Sequence, residues 1–240
     1  MWSFFANPAR FMALSQWLAP VLGIIAAICL GVGFYLSAGV PVDYQQGATV
    51  RIMFVHVPAA WMGLFCYMCL AGASFFGLVF RHSLADAAAR TAAPMGAMFT
   101  ALALITGSLW GRPMWGTWWA WGDARLTSEF ILFVFYLGYM ALHMAIDDET
   151  KAARAAAILA MVGVVNLPVV HFSVEWWNSL HQGASVMRKG GPAMPKVYLV
   201  PLLLMALGYT TLFGSLWLVR IRAEVWRKRA NALTQAQAEA

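Results

Sequence analysis

Charge is what this chain lacks most. Only 10 of its 240 residues are Asp or Glu and 16 are Lys or Arg, so charged side chains make up 11%. A soluble domain carries about a quarter, and so small a supply cannot clothe a water-facing surface of this size. Hydrophobic residues reach 62% and the mean hydropathy is +0.68. The composition excludes an ordinary soluble globular enzyme and points to a chain solvated by lipid. Cysteine is scarce too. Cys29, Cys66 and Cys69 all fall in apolar stretches, which excludes a disulfide framework. Cys66-Tyr67-Met68-Cys69 has the CxxC form. Its flanks, Gly-Leu-Phe and Leu-Ala-Gly, supply no cation to stabilise a thiolate, so these are expected to be buried thiols. Residues 1–13 lack the apolar core of a cleavable signal peptide. Internal repeats, low-complexity linkers and a separate soluble domain are missing as well. The net charge of +6 would suggest nucleic acid in a soluble protein. In a lipid-solvated chain it sets orientation instead, so no nucleic acid partner is expected.

What is present is apolar sequence in long runs. Six stretches reach the roughly 20 residues that a bilayer core requires: about 17–38, 57–80, 92–110, 128–146, 155–172 and 197–219. The expected fold is all-α, a polytopic membrane protein with six transmembrane helices. The fifth stretch carries Gly163-Val-Val-Asn-Leu-Pro168, the pattern of a kinked helix whose freed backbone groups need partners. Counting Lys and Arg by side gives ten in one set of loops and termini, including Arg10, Arg81, Arg90, Lys151 and the cluster 220–229. The other set has six: Arg51, Arg112, Arg125, Arg188, Lys189 and Lys196. The positive-inside rule then makes both termini cytoplasmic. Residues 1–220 form the membrane domain and 221–240 a basic, then Ala/Gln-rich, cytoplasmic tail. The inner loops, 81–90 and 147–154, are short and plain.

Three outer loops, about 39–56, 111–127 and 173–196, hold the unusual chemistry. The middle one contains Trp115, Trp118, Trp119 and Trp121, four of the chain's 12 tryptophans within seven residues. Interfacial tryptophans commonly position helix ends, which accounts for Trp61, Trp110, Trp217 and Trp176. Four in seven residues are better explained as an aromatic platform for a flat ligand. His56 ends the first loop and His181 lies in the last, beside Trp176 and Trp177. A six-coordinate haem needs two axial donors, large apolar surfaces and cationic groups for its propionates. His56 and His181, the tryptophans and Arg125 with Arg51, Arg112, Arg188 and Lys189 fit that demand at the outer edge of the bilayer. His171, near Pro168, is a rival ligand or a partner for a freed carbonyl; His82 and His143 lack aromatic companions. Asp123 has three possible roles: a bond to an indole N–H, a bond to a histidine, or a cap for the fourth span. Glu129 suits the dipole of that span's first turn.

The segment Trp115-Gly-Thr-Trp118-Trp119-Ala-Trp121-Gly-Asp123-Ala-Arg125-Leu-Thr127 resembles the tryptophan-rich WWD signature of haem-handling proteins. With 43–47, 51–60, 164–168 and 173–183, the chain resembles, over nearly its whole length, the haem exporter protein C (CcmC) family of system I cytochrome c maturation. The resemblance implies that haem b binds at the periplasmic face of the bacterial inner membrane, with His56 and His181 as axial ligands of its iron. It implies that Trp115, Trp118, Trp119, Trp121, Asp123 and Arg125 form the platform and rim. It also implies partners: a periplasmic haem chaperone (CcmE-like) that receives the haem covalently, a small single-span subunit (CcmD-like), and ABC transporter ATPase and permease subunits (CcmA- and CcmB-like). One departure stands out. The family pattern has the last Trp directly before Asp, and Gly122 intervenes here. Either a bulge or left-handed turn absorbs it, or Asp123, Arg125 and Thr127 are displaced from the tryptophans.

Two other functions compete. A permease exporting haem or another small substrate would line its path with mid-span polar groups, and Asn166 is the main one present. An electron-transfer cytochrome b would bury its ligands mid-membrane, which His143 and His171 could serve. No acid, base or nucleophile in this chain is assigned to catalysis.

Overall fold

A computed structural model describes residues 7–183, 185, 186 and 188–238. Apart from one isolated bridge between Asp43 and Gly47, regular structure among these residues is helical, as a chain immersed in hydrocarbon requires of its backbone. Six helical segments are long and apolar enough to cross a membrane.

Helix α1 (Pro8–Ala38) starts where Asn7 accepts from the Ala9 N–H at 2.9 Å and Pro8 fills the first turn. A short 3₁₀ turn (Ala48–Ile52) leads into α2 (Met53–Phe80). Only Arg81, in the left-handed region at φ 51°, and His82 separate α2 from α3 (Ser83–Trp115). Gly116, at φ 75°, ends α3 by donating its N–H to the Arg112 carbonyl. Helix α4 (Ala124–Ala145) is capped by Asp123, and α5 (Glu149–Val164) by Asp148. Then come α6 (Asn166–Trp176) and α7 (Lys196–Ala238).

The helices outrun the apolar stretches expected from sequence. The inner loop expected over 81–90 shrinks to two residues, because α3 continues through its charged first turns. Its other end reaches Trp115, so the first signature tryptophan is helical. The fifth span is two helices, broken at Val165. Pro168 is the third residue of α6, where its missing N–H costs no helical bond. The Asn166 side chain donates across to the Ser128 carbonyl at 2.9 Å.

Helices α2 and α3 form a central antiparallel pair. Helix α1 lies along α7 on one side, and α4 packs with α5 and α6 on the other. Lipid tails give no hydrophobic drive between helices, so close approach of small residues matters. Gly33 makes room for Met205, Gly208 for Leu30 and Gly63 for Thr100. At the centre, the Tyr67 and Tyr136 rings meet edge to face at 5.1 Å. The Tyr136 hydroxyl donates to the Gly63 carbonyl at 2.7 Å. A Cβ on Gly96 would fall 2.2 Å from the Tyr136 ring, and one on Gly163 would collide with the Tyr67 hydroxyl.

Gly96→Ala should therefore force Tyr136 out of its seat. The expected loss is about 1–3 kcal/mol, the usual range for overpacking, seen as a lowered Tm in detergent. Gly72→Ala, where an added Cβ meets nothing within 4 Å, is the control. Equal Tm values for the two variants would mean that Tyr136 is not locked against α3.

Candidate functional site

One end of the bundle gathers the first turn of α2, the last turns of α3, the loop 116–123, the start of α4 and the loop after α6. His56 projects from α2 toward α3. Its Nδ1 lies 3.0 Å from the Ala103 carbonyl and 3.2 Å from the Thr106 hydroxyl. A carbonyl only accepts, so Nδ1 carries the hydrogen and Nε2 keeps its lone pair. The Thr106 hydroxyl is itself committed to the Leu102 carbonyl at 2.6 Å. Gly107 makes space for this imidazole, since a Cβ there would lie 2.9 Å from the His56 Cε1. The Trp110 ring meets the imidazole edge to face at 5.7 Å and 77°.

His181 is held in a parallel way from another direction. Its Nδ1 lies 3.6 Å from Asp123 Oδ1 and 3.4 Å from the Ser179 hydroxyl. Ser179 donates its own hydrogen to Asp123 Oδ2 at 2.8 Å, so its oxygen accepts from His181 Nδ1 and again leaves Nε2 open. The Trp115 ring lies 4.8 Å from the His181 ring. Trp110 and Trp115 thus place one indole against each histidine from the last turns of α3. The two histidines are close enough to interact electrostatically, and Arg125 reaches His56 in the same way.

Asp123 ties these parts together. Oδ1 accepts from the Arg125 and Leu126 N–H groups, both at 3.0 Å, and so caps α4. Oδ2 accepts from Ser179 and from the Leu180 N–H at 2.7 Å. Of the three roles expected for it, Asp123 fills two: helix cap and histidine partner. Burial pushes its carboxyl up, but the nearby His181 imidazole, 3.6 Å away, and the hydrogen bonds from Leu126, Leu180 and Ser179 outweigh this and hold it well below the usual carboxylate range. The contribution of these bonds is therefore complete above the ordinary carboxylate pKa. It is lost only as pH falls through the lower, folded value.

The four signature tryptophans do not share one plane. Trp119 and Trp121 meet at 5.4 Å and 66°, and both lean edge-on against Phe130. Trp118 and Trp121 are exposed, by 56% and 69%, while Trp115 and Trp119 are half-buried. Arg125 is not a loose rim cation. Its guanidinium donates to Ser173 Oγ at 3.2 Å and to the Val170 and His171 carbonyls at 3.4 and 3.2 Å. That fastens α4 to α6. His171 is exposed, with its ring against Phe172 at 4.6 Å. Glu129 turns inward, buried, and its Oε1 has no hydrogen-bond partner.

A family model described as Heme exporter protein C matches residues 1–236. The chain belongs to this family. Heme exporter protein C of Bradyrhizobium diazoefficiens is 57% identical over 233 residues, covering 97% of this chain and 88% of the relative. That of Escherichia coli K12 is 48% identical over 219 residues, covering 90% and 87%. That of Haemophilus influenzae is 45% identical over 235 residues, covering 96% and 95%.

In this member of the Heme exporter protein C family, Gly122 lies outside any helix. The Asp123 N–H donates to the Ala120 carbonyl at 3.0 Å, closing a tight turn before α4. Asp123 and Arg125 have defined partners beyond this turn. Several residues of the site were not foreseen. Ser179 anchors the His181 loop, Gly107 opens space for His56, and Gly111 lets Trp115 fold back, its Cβ position lying 2.9 Å from the indole. Glycines at 107 and 111, one helical turn apart beside two tryptophans, were the available signal. Trp110, expected in an interfacial belt, has its indole N–H buried without a partner, as has Trp119.

Asp123→Ala should weaken the α4 cap by about 1 kcal/mol and free the 179–181 segment. A hydrogen bond to a charged group contributes about 1.5–3 kcal/mol, so the Leu180 amide should exchange with deuterium about 10- to 100-fold faster. In the native chain its protection should persist below about pH 4, past the ordinary carboxylate range. Unchanged exchange in the variant would remove Asp123 from its organising role.

Proposed function

We propose that this protein binds haem b at the periplasmic edge of the bacterial inner membrane and presents it to a periplasmic haem chaperone of the CcmE type. The observation that carries this is the pair His56 and His181. They come from separate elements, each with Nδ1 tied down and Nε2 open, and each against an indole of α3. Fixing the far nitrogen of a histidine orients it as a metal ligand and raises its basicity. The surroundings suit a macrocycle with acid groups. Two buried indole N–H donors, of Trp110 and Trp119, have no protein acceptor, which an oxygen of the cargo would satisfy. Membership of the Heme exporter protein C family and relatives of that name support haem as the cargo.

In this reading His56 and His181 donate to the iron. Trp115 and Trp119 hold the ring, while exposed Trp118 and Trp121 meet the chaperone. Asp123 and Arg125 act through the loops they pin. The covalent bond forms on the chaperone's side. This chain's part is orientation and exclusion of water. Both termini face the cytoplasm, and a CcmD-like subunit and CcmA- and CcmB-like transporter subunits complete the assembly, whose product serves c-type cytochrome maturation.

The absorption spectrum of the purified protein tests this. Wild type should show the low-spin bands of a bis-histidine haem. His56→Ala or His181→Ala should turn them high-spin or make them depend on added imidazole, and the double variant should lose them. No covalent product should form from haem without the chaperone. A double variant with wild-type bands and normal chaperone loading would refute the axial pair.

A further inference from the structure

The two-histidine end of the bundle contains one buried acid that the proposed function leaves unused. Glu129 lies in α4 and is 8% exposed. An acid near a helix start meets the dipole by turning back toward the free N–H groups. Asp123 already fills that place, and Glu129 points instead between α2 and α3. A Cβ on Gly63 would lie 3.2 Å from Glu129 Oε1 and 2.8 Å from Thr100 Oγ1. Gly63 follows His56 on the same face of α2, two turns and about 10 Å further into the bundle. On α3, Thr100 precedes by three residues Ala103, whose carbonyl holds the His56 imidazole. The carboxyl therefore sits beneath the seat of His56, on its inner side.

The protein leaves this carboxyl unanswered. Its Oε1 is buried and has no hydrogen-bond partner. The two hydroxyls beside it are committed elsewhere: Thr100 donates to the Gly96 carbonyl at 2.8 Å, and Tyr136 to the Gly63 carbonyl at 2.7 Å. Arg125, one turn earlier, acts on Glu129 electrostatically but spends its donors on Ser173 and α6 carbonyls. The other titratable neighbours are Tyr136 on the same helix and, around Tyr136, Cys66, Tyr67 and Cys69 of α2. Among the described residues, no titratable group of α3, α5 or α6 acts on it. Thiols and phenols stay neutral through the range in which carboxyls titrate. An enclosed carboxylate without hydrogen bonds is costly as an ion unless a positive charge comes near. An ionisable side chain inside a membrane bundle is rarely there for packing.

We propose that Glu129 is the internal counter-charge for the iron held by His56 and His181, and that it makes the site prefer ferric over ferrous haem. The inference rests on the two-histidine reading. A ferric porphyrin core with two neutral imidazoles carries +1 and a ferrous core carries none; the propionates are the same in both. Arg125 repels an added positive charge at this end, so the compensation falls to Glu129. When ferric cargo arrives, the Glu129 acid releases its proton to water and the carboxylate stabilises the cation. One proton leaves and no electron moves. At about 10–15 Å and an effective dielectric constant of about 20, two unit charges bias each other roughly tenfold. A bias of that size converts at most about half of the acid at a given pH. Ferrous cargo leaves Glu129 as it was.

The test uses the full-length protein in phosphatidylcholine nanodiscs, titrated with ferric hemin and, under dithionite, with ferrous haem. Glu129→Gln keeps the side-chain shape and removes the charge. Its ferric affinity should match wild type near pH 5 and fall about tenfold below it near pH 9, above the ordinary carboxylate range. Its ferrous affinity should equal wild type throughout. Wild type should release up to about half a proton more than the variant on taking up ferric hemin. In wild type carrying isotope-labelled glutamate, the infrared band of a protonated glutamate should weaken with ferric hemin and not with ferrous haem. Equal loss of ferric and ferrous affinity in the variant would mean a structural role and overturn the proposal. So would an unchanged labelled band in a wild type with low-spin haem, which would leave the two-histidine reading standing. That measurement needs only wild type, so it decides even where the variant fails to fold. A wild type without low-spin bands would overturn the two-histidine reading itself.

Discussion

The buried carboxylate of Asp123 is the contact on which the site end of this protein depends. It is 4% exposed and accepts four hydrogen bonds, two from the start of α4 and two from the segment before His181. A buried charge is tolerable only when its lone pairs are filled. Here each oxygen is filled from a different part of the chain. One group thus fixes where α4 begins and where the last outer loop lands. Because Ser179 donates to Asp123, it has only its lone pairs left to offer the neighbouring imidazole. The direction of a single hydroxyl hydrogen thereby sets which nitrogen of His181 remains open.

Helix α3 plays the corresponding part for the other histidine. Ala103 and Thr106 tie down His56, Gly107 removes the Cβ that would strike its ring, and Trp110 flanks it. One turn on, Gly111 lets Trp115 fold back toward His181. A regular helix spaces these residues by its own pitch. The two imidazoles therefore share a rigid ruler even though one sits on a helix and the other on a loop. Arg125 strengthens this end from a third side. It spends its donors on Ser173 and on carbonyls of α6, and with the Asn166 bond to the Ser128 carbonyl it fastens the broken fifth span to α4.

The six spans were legible in the sequence because hydrocarbon demands long apolar runs and little else. The helix ends were less so. Residues 83–91 are polar enough to look like a loop, yet they continue α3 because Trp217 and Glu224 on α7 give them partners: the Trp217 indole donates to the Ala88 carbonyl, and Glu224 faces Arg90. Such tertiary contacts leave no local signal. Within the site, His56, His181 and the tryptophans stood out by residue type and spacing. Ser179 did not, since a serine in a polar loop is ordinary until its partner is known. Arg125 looked like a rim cation from its side of the membrane alone; its carbonyl partners lie 45 and 46 residues away. The expected flat platform also fails on geometry. Trp119 and Trp121 meet edge to face, as aromatic quadrupoles prefer.

That geometry divides the signature into two kinds of tryptophan. Trp115 and Trp119 are half-buried and belong to the walls, whereas Trp118 and Trp121 expose most of their rings. An exposed indole contributes little to folding, and a cluster of them is a surface waiting for contact. A protein that only retained its cargo would bury all four. One that hands its cargo on must keep part of the aromatic surface outside, within reach of whatever takes the cargo away. The irregular loop 116–123 permits this, because no helical period forces its rings to one side. Gly122 falls in the turn between the exposed Trp121 and the buried Asp123.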